Sequence, residues 1–171
     1  YFLLFSSLLL SQFFVGNRNL FANPITELLT LDRLHELKFQ DNVKCSDFPG
    51  IAKDIIATGT DLGVHVKQGM PLLPGKDATY EALHGKLGTI IIRKRNFAPV
   101  VFCKLVVHEF IHVLQHINGG LKAVDPLGWS VSQKAIAVYG SLQEAEAYTY
   151  QNRASMVLKL LGNSLKGKSQ L

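Results

Sequence analysis

Two histidines four residues apart, with a glutamate following the first, make up the stretch His108-Glu109-Phe110-Ile111-His112. On a helix, positions i and i+4 lie one above the other on the same face. Two imidazoles so placed can share one zinc ion at about 2.0–2.1 Å each. The glutamate between them points beside the metal, where it can take a proton from the water that zinc activates. The surrounding segment 99–117 is strongly apolar. Two histidines and a glutamate in such a helix are costly unless paired or metal-bound. The chemistry expected is metal-assisted hydrolysis with Glu109 as general base.

A catalytic zinc takes three protein ligands and keeps one position for water. His116 extends the histidine stripe, but on a continuous helix it lies about 12 Å along the axis from His108. One tetrahedral ion cannot reach both, so His116 is expected on the helix surface or behind a ligand. A later stretch, Gln143-Glu144-Ala145-Glu146-Ala147-Tyr148, offers two carboxylates beside alanines small enough to let a helix approach the metal. Asp125, soon after the motif helix, is a further candidate. The residues alone leave Glu144, Glu146 and Asp125 open as third ligand.

With these motifs the chain resembles the gluzincin branch of the zincin-like zinc metallopeptidases. Members carry H-E-x-x-H and, on a separate helix, a glutamate ligand. The matching residues are His108, Glu109 and His112, then Glu144-Ala145-Glu146-Ala147-Tyr148, and the likeness covers about residues 88–150. It implies one Zn2+ held by His108, His112 and Glu144, with Glu109 as catalytic base, a peptide or protein substrate, and an edge strand before the motif helix to bind substrate backbone. That strand would be 89–93 or 78–82. Tyr148 stands where the family usually carries an aspartate that steadies a ligand histidine. Gln115, three residues after the second histidine, also resembles small bacterial zincin-like domains. The metzincin pattern is excluded, since Gln115 and Asn118 occupy its glycine and third-histidine positions. For the oxyanion donor, His84, Tyr139, Tyr148 and Tyr150 come into question. The alternative reading is a membrane-associated or secreted zinc-binding scaffold with little or no catalytic activity.

The elements that must position these groups form an α+β pattern. Leucines 28, 31, 34 and 37 recur at helical spacing after Asn23-Pro24, and a second helix is expected over 50–62, stopped by Gly63. Residues 64–67 alternate as a strand. Segments 78–82 and 89–93 read as a hairpin through 84–88, and Ile90-Ile91-Ile92 suits a strand covered on both faces. The motif helix then starts at Pro99 and stops at Gly119-Gly120. A last long helix is expected over 133–161, with Gly140 able to divide it. The result is a small antiparallel or mixed sheet packed on the H-E-x-x-H helix and a glutamate-bearing helix.

The chain has 171 residues, 47% of them hydrophobic, enough for one sizeable core. Residues 1–15 are almost wholly apolar, short for a membrane span and typical of a secretory signal. Residues 1–22 are therefore expected to be a signal peptide or signal anchor, 23–165 the metallopeptidase domain and 166–171 a basic tail. The protein is then exported, periplasmic or secreted, or membrane-anchored through its apolar start. The net charge of +5 is diffuse and lacks interleaved aromatics, so no nucleic-acid partner is expected. Cys45 and Cys103 can form one disulfide in an exported protein, but Cys103 in a buried helix is equally the setting of a free thiol.

Overall fold

The computed structural model describes residues 42–168. The expected leader and the helix after Asn23-Pro24 lie outside the described residues. Helix α1, Ile51–Leu62, buries Ile51, Ala52, Ile55, Gly59 and Leu62 along one face. Gly63 closes it at φ 109°, a left-handed conformation that glycine adopts without strain.

Three strands follow: β1, His65–Gly69; β2, Ala78–Leu83; and β3, Lys86–Arg93. Their order in the sheet is β1-β3-β2, with β1 parallel and β2 antiparallel to β3. The sheet is therefore mixed. Ile90, Ile91 and Ile92 in the central strand are all at most 5% exposed, as a strand covered on both faces requires. The β2–β3 hairpin turns at His84-Gly85, tighter than the expected 84–88 connection. Gly85 at φ 77° permits that turn, and its N–H donates to Leu121 O at 2.7 Å.

Helix α2, Pro99–Asn118, carries the motif and forms the centre of the core, packing on α1, β2 and β3. It is long and apolar enough to cross a bilayer, but most of it is buried inside the domain. α1 approaches it closely at Gly59, where a Cβ would stand 2.0 Å from Phe110 Cε1. Cys45 and Cys103 are joined by a disulfide, so the open alternative of a free thiol is settled against. The bond closes a loop 58 residues apart in sequence, which by loop entropy stabilises the fold by about 4 kcal/mol.

Beyond α2, one long helix was expected; the chain instead folds into three. They are α3, Gln133–Tyr139; α4, Leu142–Tyr150; and α5, Ala154–Lys168. Gly140 at φ 82° ends α3, and Ser141 then caps α4 by accepting from Glu144 N–H. The second break, at 151–153, was not expected from the sequence. There Asn152 O accepts from Cys45 N–H, while Ser155 N–H donates to Val43 O and Ser155 Oγ accepts from Val43 N–H. Backbone pairing with the segment before α1 replaces the helical bonds. α5 packs on α1 and α2, and α4 packs on α2.

Candidate metal centre

α2 presents His108 and His112 on one face, as the i, i+4 spacing requires. α4 brings Glu144, in its first turn, against them. The two Nε2 atoms lie 3.2 Å apart. Glu144 Oε2 is 3.5 Å from His108 Nε2, and Oε1 is 3.5 Å from His112 Nε2. Bonds of about 2.0–2.1 Å to one tetrahedral ion would hold its ligand atoms about 3.3–3.4 Å apart. The three side chains therefore already stand at ligand spacing. Among the described residues they form the one His/Cys/Asp/Glu group able to hold a metal. Glu144 Oε2 is buried without a hydrogen-bond partner, an arrangement that a cation at the centre of the triangle would satisfy.

The local charges follow from this packing. The two imidazoles hold the Glu144 carboxyl far below the usual carboxylate range. Burial pushes His108 down, partly offset by Glu144. For His112 burial also acts downward, but Glu144, Glu109 and Gln115 together outweigh it and the net shift is upward. Glu109 is 4% exposed, and its burial raises it to about 7; the backbone of Tyr80 on β2 hydrogen-bonds its carboxyl.

Gln115 performs a role that the sequence reading did not give it. Its Nε2 donates to Gln143 O at 3.0 Å and to Glu146 Oε2 at 2.9 Å. Both partners are acceptors, so the amide can face only one way and its Oε1 must point at His112 Nδ1, 2.7 Å away. His112 therefore carries its proton on Nδ1 and turns a bare Nε2 toward the centre. The signal was a glutamine one turn beyond the second histidine, in a helix with little other polarity.

The other candidate ligands are elsewhere. Glu146 is fully buried on the opposite side of α4, where it accepts from Leu127 N–H, Trp129 N–H and Gln115 Nε2. It anchors the loop after α2 and has no oxygen in the triangle. Asp125 is exposed in that loop and outside the group. His116 is 1% exposed, not on the helix surface as one expectation had it. Its Nδ1 is 2.8 Å from Tyr80 Oη, which also accepts from Gly88 N–H, so it ties α2 to the sheet.

The triangle opens into a cleft of about 240 Å³, walled by residues 75–80, Leu105, Glu109, Tyr148 and Gln151. β2 is an edge strand and borders this cleft, whereas β3 is the central strand. The ring of Tyr148 packs edge-on against His108 at 4.5 Å and stacks on Tyr139 at 4.2 Å. Of the four residues considered for oxyanion donation, only Tyr148 lines the cleft. His84 is exposed at the hairpin turn, and Tyr150 Oη donates to Ser130 O. No family model, curated protein or solved structure matches this chain.

Proposed function

We propose that the chain is a zinc-dependent metallopeptidase of the gluzincin type, with His108, His112 and Glu144 as ligands and Glu109 as general base. The observation that carries this reading is the triangle of 3.2 Å, 3.5 Å and 3.5 Å between ligand atoms, with the Glu109 carboxyl beside it in an open cleft. Two imidazoles and one carboxylate with a free fourth position are the donor set of a hydrolytic zinc. Bound there, zinc supplies Lewis acidity to the scissile carbonyl and lowers the pKa of water toward about 7.

The chain's own residues supply the rest. Glu109 takes the proton of the attacking water and delivers it to the leaving amine. Gln115 holds His112 in the tautomer that a ligand needs. β2 offers its outer edge for pairing with substrate backbone, by strand addition. A disulfide is at home in an oxidising compartment, which supports an exported protein.

The second reading is a zinc-binding scaffold without turnover. It is favoured by Tyr148, which stands at the sequence position of the family's aspartate and meets His108 through its ring rather than through a carboxylate. One experiment separates the two: zinc content and peptide-library cleavage for wild type and Glu109→Gln. The peptidase reading expects equal zinc in both and a loss of cleavage of at least about 10³-fold in the variant. Zinc without turnover in the wild type would favour the scaffold.

A further inference from the structure

We propose that the cleft recognises a carboxylate of its substrate through Lys76. This inference rests on the metallopeptidase reading for the word substrate, but not for the binding itself. Lys76 lies two residues before β2 and lines the cleft together with His108, His112 and Glu144. Its ammonium is 5.8 Å from the centre of the Tyr148 ring, the same ring that packs against His108. A cation is thus held one aromatic ring away from the ligand cluster.

The backbone beneath Lys76 is fixed. Arg93 Nη2 and Nε donate to Lys76 O at 2.8 Å and 3.2 Å. The nearby acid is already occupied: Asp77 pairs with Arg95 at 2.6 Å and with Arg93 at 3.6 Å. Among the described residues, no carboxylate pairs with Lys76 Nζ. The cleft therefore holds a positioned, half-buried cation that has no carboxylate partner among the described residues.

The position also has a direction. A peptide added antiparallel to β2 runs its carboxyl end toward the start of that strand, where Lys76 stands. A free C-terminal carboxylate or an acidic side chain close to the scissile bond could reach the ammonium, and both offer the same chemistry.

The test uses N-acetylated hexapeptide pools in three forms: free acids, C-terminal amides, and amides with glutamate next to last. Each is equilibrated with the zinc-loaded full chain carrying Glu109→Gln, and the bound fraction is read by mass spectrometry. Charge-assisted pairing predicts that a carboxylate form binds roughly tenfold or more tightly than the plain amides. Adding Lys76→Met should bring that ratio to about one, and Lys76→Arg should restore most of it. Zinc content equal to the parent's shows that each variant is folded. Preference for free acids identifies the chain terminus, and preference for the glutamate amides identifies a side chain.

Equal binding of all three pools, or a preference untouched by Lys76→Met, would overturn the inference. The same pools given to the wild type keep the two claims apart. Cleavage of every pool at one rate, with no carboxylate preference in binding, removes the role of Lys76 and leaves the peptidase standing. Lys76-dependent binding without cleavage does the reverse.

Discussion

Gln115 Oε1 lies 2.7 Å from His112 Nδ1, and the rest of the amide is spoken for by two acceptors, Gln143 O and Glu146 Oε2. A single side chain thereby connects the His108–His112–Glu144 triangle to the glutamate that anchors the loop after α2. Ligand geometry and loop structure are linked through one buried amide.

Replacing Gln115 with Met keeps the volume but removes the acceptor at His112. Outer-shell partners of this kind are worth 10–100-fold in metal affinity in order of magnitude. Competitive titration with a zinc chelator should show a loss of about that size in Gln115→Met. Unchanged affinity would mean that His112 is oriented by packing alone.

Glu144 and Glu146 sit two residues apart and should behave in opposite ways. Glu146→Ala strips the acceptor from Leu127 N–H, Trp129 N–H and Gln115 Nε2. Each buried donor left unsatisfied costs about 1–3 kcal/mol, so the melting midpoint should fall by roughly 10 °C or more. Glu144→Ala should instead weaken zinc binding while the metal-free domain melts close to the parent. Calorimetric melts with and without chelator distinguish the two, and the reverse pattern would exchange their roles.

Gly59 is required by a close approach rather than by its backbone angles. A methyl group there would overlap Phe110 Cε1 at 2.0 Å, pushing on the motif helix. Gly59→Ala should destabilise by about 1–3 kcal/mol, a net of overpacking and improved helix propensity. Adding Phe110→Leu should recover part of the loss, because the intruding ring is gone. Denaturant midpoints of the single and double variants check this, and a stabilised Gly59→Ala would refute it.

How far the sequence could be read follows from the range of each signal. Periodicity is local, so it located α2 to within a residue of its end, and the β-branched run at 90–92 located the central strand. The gathering of His108, His112 and Glu144 came from a family pattern, and the fold brings those three together. What was missed depends on tertiary partners. Glu144 and Glu146 look equivalent in sequence, yet they lie on different sides of α4, and only the fold says which faces α2. The role of His116 depends on Tyr80, which is 36 residues away in the chain. The break at 151–153 carries no glycine or proline, because pairing with residues 43–45 causes it. Lys76 gave no sign at all, since its neighbours in space are remote in the chain.

X-ray absorption at the zinc edge of the purified, zinc-loaded chain tests the centre most directly. The expected result is one zinc per chain, with two imidazole nitrogens at about 2.0–2.1 Å and carboxylate and solvent oxygen completing four-coordination. Glu144→Ala should change the oxygen shell and keep both nitrogens. A zinc without imidazole ligands, or a spectrum indifferent to Glu144→Ala, would contradict the site described.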